Sequence, residues 1–147
     1  MLKTERMDRV RAALRAQGLT QMIVCDPKSV WYLTGVAVEP YERLLALYLP
    51  TEGDPVLFLN RLFNVPEPPC RTVWHTDTDK PVAQIAEVVD AGKPLGIDKE
   101  WPAKFLIPLM ETHPGMQVVL SSDCVDDCRA CKDVEEQTLM RLSLIHI

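Results

Sequence analysis

Residues 80–98, KPVAQIAEVVDAGKPLGID, decide the fold class. Val82, Ile85, Ala86 and Val89 recur at helical spacing, so the sequence predicts an amphipathic helix over 80–92 with Gly92 as its stop. PLGID (94–98) follows, too short for a helix and apolar enough for a strand. The alternation continues downstream. WPAKFLIPLMETH (101–113) reads as a second helix, with Pro102 near its first turn and Pro108 kinking or shifting it. MQVVLS (116–121) reads as a strand, and the chain from 123 onward as a helix.

Upstream, residues 4–17 place Met7, Val10, Ala13 and Leu14 on one helical face, with Thr4 as N-cap and Gly18 as stop. MIVC (22–25) is a short buried strand. Asp26-Pro27 then caps a second helix, KSVWYL, which ends at Thr34-Gly35. LLALYL (44–49) and PVLFLN (55–60) are strands joined by a turn around Gly53-Asp54, a hairpin. RTVWH (71–75) is a further strand after the irregular, proline-rich VPEPPC. Strand–helix alternation in the second half and a hairpin in the middle assign the α/β class, a mixed β-sheet flanked by helices. One compact domain is expected over 1–122, followed by a linker helix over 123–147.

The 147 residues are 47% apolar and 25% charged, enough for one real core. A formal charge of −5 disfavours nucleic acid. The basic residues that do cluster (Lys3, Arg6, Arg9, Arg11, Arg15) suit the wet face of the first helix. No apolar run reaches the ~18–20 residues of a membrane span, and charges interrupt the N-terminus where a secretory signal would be apolar. A cytoplasmic chain is expected. Five cysteines, two of them far from the rest, argue against a full disulfide framework.

Cys124, Cys128 and Cys131 form C-x₃-C-x₂-C, which raises an iron–sulfur cluster. On a helix, i, i+4 and i+7 instead make one stripe that spreads the sulfurs over about 10 Å along the axis. The stripe suits packing against the core, as small hydrophobes. His75, His113 and His146 are isolated, with no H-E-x-x-H or H-x-H, and read as surface or strand-end residues. Ser29, Ser121 and Ser122 have no evident histidine partner, and there is no G-x-S-x-G. The dispersed glycines form no phosphate loop. Asp77/Asp79 and Asp126/Asp127 read as turn and helix-start charge rather than a cation site.

The order of these pieces carries a resemblance. RVRAALRAQGLTQMIV, then Tyr32-Leu33-Thr34-Gly35, Glu42-Arg43 before LLALYL, Gly96-Ile97-Asp98, and Arg129 with Lys132 and Glu136 resemble the N-terminal domain of the creatinase/prolidase/Xaa-Pro aminopeptidase family. The resemblance covers residue 6 to about 141. It implies a mixed sheet with helices on both sides, with a ribonuclease H-like motif. It also implies that chemistry resides in a following "pita-bread" domain, where two Asp, one His and two Glu hold two manganese, cobalt or zinc ions; creatinase is the metal-free exception. No cofactor is expected in this chain. Cys128 and Cys131 stand where the family has packing residues. The closing SLIHI resembles translated adapter sequence, so a truncated reading frame is expected.

The resemblance further implies a non-catalytic domain that shapes a substrate cleft and supports oligomerisation. Its partners would be its own C-terminal catalytic domain, a second copy and, indirectly, a peptide. Tyr32 and Arg43 are the candidates for residues near the cleft or an interface, set against the simpler reading of Tyr32 as core and Arg43 as loop charge. The alternatives are a stand-alone binding or oligomerisation module, or an iron–sulfur protein using Cys124, Cys128 and Cys131.

Overall fold

A computed structural model describes residues 2–145. The element order is α1 (Thr4–Ala16), β1 (Gln21–Val24), α2 (Pro27–Thr34), β2 (Ala46–Pro50), β3 (Val56–Asn60), β4 (Arg71–His75), α3 (Pro81–Val88), β5 (Leu95–Ile97), α4 (Ala103–Thr112), β6 (Val118–Leu120), α5 (Ser122–Ala130) and α6 (Val134–Ile145). The strands form one mixed sheet in the order β4-β3-β2-β1-β5-β6. β2 pairs antiparallel with β1 and with β3, while β3–β4, β1–β5 and β5–β6 are parallel. Five strands therefore point one way and β2 alone points back. Every strand expected from the sequence is present, and β2–β3 is the predicted hairpin.

Alternation along the strands sorts the core onto two faces. Met22 and Val24 join Leu47, Leu49, Leu57 and Leu59 beneath Met7, Val10 and Leu14 of α1, Val30 and Leu33 of α2, and Cys124 and Val125 of α5. Ile23, between them in sequence, faces the other way. It joins Ala46, Tyr48, Val56 and Phe58 beneath Ile85 and Ala86 of α3 and Leu109 of α4. The result is three layers, helix–sheet–helix.

Several boundaries differ from expectation, each for a local reason. Lys3, not Thr4, stands at the α1 cap without a side-chain cap bond, and its backbone N–H is tied to the Leu33 carbonyl at 3.0 Å. The helix predicted to run to Gly92 ends at Val88, because Val89 turns extended (ψ 135) and the next N–H, that of Asp90, donates to the buried Gln21 Oε1 at 2.9 Å. Trp101 is a buried anchor ahead of α4 rather than part of it. Pro108 is accommodated inside α4. The stretch from 123 is two helices, not one. α5 stops at Ala130, and α6 starts after a break in which Asp133 and Glu136 cap each other (Glu136 N–H to Asp133 Oδ1 2.9 Å, Asp133 N–H to Glu136 Oε2 3.1 Å).

The basic face of α1 is not simply wet. Arg6 is only 5% exposed. Arg11 donates to the carbonyls of Pro50 (3.0 Å) and Gly53 (2.9 Å), and Arg15 to that of Thr51 (2.7 Å). These guanidiniums strap α1 over the hairpin turn, whose carbonyls need donors.

Candidate functional site: the carboxyl edge of the sheet

Because five strands are co-directional, their carboxyl ends share one edge, which is where open α/β sheets place their ligand sites. Val24, Asn60, His75, Ile97 and Leu120 end there, and the start of β2 brings the irregular loop 36–45 to the same edge. Tyr41 in that loop has φ +53 and is 81% exposed, an unusual conformation for an aromatic residue.

One side of the edge is built around Arg43. Its Nε donates to Asp77 Oδ1 at 3.1 Å and Nη2 to Oδ2 at 3.3 Å, while the buried Asn60 Nδ2 donates to Asp77 Oδ1 at 2.9 Å. Arg43 and then Asn60 hold the Asp77 carboxyl below its ordinary range. Asn60 Oδ1 in turn accepts from Leu62 N–H at 2.9 Å, so one amide locks the turn after β3 to the turn after β4. His75 lies beneath, 2% exposed, with neither ring nitrogen partnered among the described residues. Burial depresses its pKa, against the pull of Asp79 and Asp77. These groups line a cavity of about 300 Å³ with Glu42, Pro81 and Phe105.

The other side explains the GID and R-x-x-K-x-x-x-E patterns. Asp98 Oδ2 accepts the backbone N–H of Cys25 (2.6 Å) and of Asp26 (3.1 Å), fastening the end of β5 to the β1–α2 turn. Burial raises the Asp98 pKa, opposed by those two donors. Burial, then Asp98, raises that of the Cys25 thiol, which is not poised as a nucleophile. Arg129 Nη1 bridges Asp26 Oδ2 (3.2 Å) and Ser29 Oγ (3.1 Å) at the start of α2, and Lys132 Nζ donates to the Arg129 carbonyl. A cavity of about 370 Å³ opens here between Asp26, Lys99, Ser122, Asp126 and Arg129. Ser122 Oγ accepts from Lys99 N–H at 2.8 Å, so its contact too is structural.

Tyr32 lies elsewhere. Its ring is buried beneath Arg6, whose guanidinium carbon is 4.7 Å from the ring centroid, and its hydroxyl accepts from Arg9 Nη2 at 2.9 Å. Tyr32 and Arg43 line separate cavities and are not brought together; that of Tyr32, about 410 Å³, is a groove between α2 and α6 with Trp31, Leu139 and Met140. In YLTG, Leu33 is core, Thr34 Oγ1 donates to the Val30 carbonyl (2.6 Å), and Gly35 closes α2 at φ +76.

Arg6 is the feature the sequence reading missed. Its Nη1 donates to the Tyr32 carbonyl (2.9 Å), its Nε and Nη2 to Asp133 (2.6 and 3.1 Å), and Nη2 also to Glu135 (3.2 Å). Lys3 adds a bond to Glu135 at 2.9 Å. This clasp holds the start of α6 against α1. The bond from Arg6 lowers the Asp133 pKa to about 2. The D-x-x-E capping box at 133–136 was the available signal for where α6 begins; nothing in the sequence marks Arg6 apart from its basic neighbours.

The cysteine stripe is corrected in part. Cys124 is in the core and Cys128 packs against it, but Cys131 is exposed because α5 has already ended. Among the described residues no group of three or more His, Cys, Asp or Glu side chains is placed to hold a metal ion, so no dinuclear centre is assembled from them. His113 Nε2 bonds the Ala86 carbonyl (2.8 Å), and His146 lies outside the described residues. No helix is long and apolar enough among the described residues to cross a membrane.

Residues 6–131 match the family model described as "Creatinase/Prolidase N-terminal domain". The chain is 29% identical over 139 residues to "Probable dipeptidase PepE" of Mycobacterium tuberculosis, covering 88% of this chain and 36% of that protein. It thus spans about a third of the length of that curated relative. A crystal structure of dipeptidase PepE from Mycobacterium ulcerans superposes with TM-score 0.75 at 26% identity, over 92% of this chain and 38% of that one. The creatinase/prolidase N-terminal domain of an X-Pro dipeptidase from Streptococcus pyogenes shares the fold, with TM-score 0.65 at 23% identity over 79% of this chain and 92% of that one. The chain belongs to the creatinase/prolidase N-terminal domain family.

Proposed function

We propose that this chain serves as the non-catalytic N-terminal domain of an Xaa-Pro dipeptidase-like metallohydrolase, shaping the substrate cleft and supporting oligomerisation. The family match across residues 6–131 carries this reading. The compact body is followed by a helical segment, with α6 leading toward a catalytic domain. When bound there, a dinuclear manganese, cobalt or zinc centre would supply Lewis-acid activation of water for attack on the bond preceding proline. The five free cysteines support a reducing, cytoplasmic setting.

Within this reading Arg43 is the residue offered toward the cleft or a second copy. It stands at the carboxyl edge, in the loop that also exposes Tyr41, and Asp77 holds its guanidinium in one orientation. Tyr32 floors the α2–α6 groove and acts on that interface by positioning.

The chain alone, incubated with Mn²⁺, Co²⁺ or Zn²⁺ and an Xaa-Pro dipeptide, is expected to release no proline; turnover would overturn the non-catalytic assignment. In a longer protein carrying the catalytic domain, Arg43→Ala is expected to raise KM several-fold at unchanged melting temperature. An unchanged KM and an unchanged oligomeric state together remove Arg43 from both the cleft and the interface.

A further inference from the structure

The cysteines at the end of α5 take no part in the proposed function, and three features meet there. Cys128 and Cys131 are three residues apart, which on a helix places their Cα atoms about 5 Å from each other, inside the roughly 4.4–6.8 Å span of a disulfide. Helical Cβ atoms at that spacing stand about 5–6 Å apart, against the ~3.5–4.5 Å a disulfide requires, so the bond closes only if one backbone shifts. Cys131 lies just past the last helical residue. It leaves the helix at φ −93, ψ 94 with no backbone cap bond, whereas the capping residues of α1, α2, α3 and α4 each donate an N–H into the last turn. Access is graded as well: Cys131 is exposed, Cys128 half-buried and Cys124 inside the core. The Cys124–Cys128 pair has neither property, since both residues lie within regular helix and Cys124 is shut away from reagents.

We propose that Cys128 and Cys131 form a reversible dithiol–disulfide pair, oxidised by low-molecular-weight disulfides of the glutathione class. The Cys131 thiolate attacks the small disulfide. A mixed disulfide forms, the small S–S bond breaks, and one small thiol leaves. Cys128, whose thiol burial pushes up against the pull of Arg9, then loses its proton and attacks the Cys131 sulfur, forming the internal S–S bond and expelling the second small thiol. Two protein thiols lose two electrons and two protons, and one small disulfide becomes two thiols. Asp133, two residues on, is the anchor that Arg6 holds, so the crosslink staples the origin of α6 to α5.

The test is equilibration of the full chain in glutathione redox buffers of rising oxidised fraction, followed by acid quench, intact mass and tryptic mapping. Trypsin cuts after Arg129 and Lys132, so the crosslink joins the peptide ending at Arg129 to residues 130–132. Expected are a loss of two hydrogen masses and that linked pair, abolished by Cys131→Ser and unaffected by Cys124→Ser. In Cys128→Ser a glutathione adduct should persist on Cys131. A wild-type chain that keeps the adduct without closing, a crosslink through Cys124, or equal closure in denaturant would each overturn the proposal.

Discussion

Gly96 in β5 offers the sharpest test of how the parallel strands pack. It pairs with Met22 of β1 and Val119 of β6, at the centre of the parallel seam. A Cβ added there would stand 2.5 Å from Ser121 Oγ, 3.0 Å from Ser121 Cβ and 3.3 Å from the Gln21 carbonyl oxygen. The hydroxyl could rotate away, but the Ser121 Cβ cannot, because its backbone N–H is bonded to the Ile97 carbonyl at 3.0 Å. Overpacking of this kind costs about 1–3 kcal/mol, and alanine recovers about 0.4–1 kcal/mol by restricting the unfolded chain. Gly96→Ala is therefore expected to destabilise by roughly 1–2 kcal/mol, read from urea denaturation monitored by circular dichroism. Ser121→Gly removes both contacts on its side, so the double variant should recover part of the loss, with a coupling of at least about 0.5 kcal/mol. Wild-type stability in Gly96→Ala, or strictly additive losses in the double variant, would refute the account of why glycine stands in this strand.

Further outcomes follow from Asp133, His75, Asn60 and Arg43. Asp133→Asn keeps a capping side chain but weakens the charge-assisted bonds from Arg6; about 1.5–3 kcal/mol rides on such bonds, partly screened because Asp133 is not fully enclosed. Amide exchange in α6 should accelerate while that of β1 and β3 stays slow; equal acceleration throughout would mean the clasp is not local. Since the folded pKa of Asp133 is depressed to about 2, its contribution is full above the unfolded value near 3.9 and is lost as pH falls through about 2. His75 has the same sign for a different reason. Its folded pKa is lowered by burial, so the unfolded chain binds the proton first and stability declines as pH drops below about 6.5; an NMR titration placing the ring above that value contradicts this. Asn60→Ala should destabilise by about 1–3 kcal/mol through its two lost hydrogen bonds, to Asp77 and from Leu62 N–H, at about 0.5–1.5 kcal/mol each, whereas Arg43→Ala, removing an exposed pair, should leave the thermal melt unchanged.

What was legible in the sequence is what periodicity can express. The strand at MIVC, the helix face of Val82, Ile85 and Ala86, and the hairpin at residues 44–60 follow from local pattern, and the sheet follows from their order. The misses come from long-range partners. Whether α3 ran on to Gly92 depended on Gln21, 69 residues earlier, accepting the Asp90 N–H. The burial of Arg6 depended on Asp133 and Tyr32, which no periodicity within α1 can report. The cysteine stripe failed at Cys131 because the Asp133–Glu136 cap starts a new helix there. At the site, Arg43 stood out through a resemblance, but its partner Asp77 and the Asn60 and His75 that line the same cavity come from the ends of two strands and the turn beyond, and only the parallel β3–β4 pairing gathers them.

The position of β1 bears on how this domain emerges from the ribosome. Its first neighbour, β2, arrives early, with Met22 facing Leu49, but its second, β5, places Gly96 beside Met22. The cover of its Met22/Val24 face is completed later still, because Cys124 and Val125 of α5 join α1 and α2 on that side. At about 5–20 residues per second, the nascent chain spends several seconds with its innermost strand exposed along one edge. Of the helices that cover β1–β2–β3, only α1 precedes all three strands in the chain, and Arg11 and Arg15 strap it onto the hairpin. The guanidiniums that bind the Pro50, Thr51 and Gly53 carbonyls would then serve synthesis before they serve the finished fold.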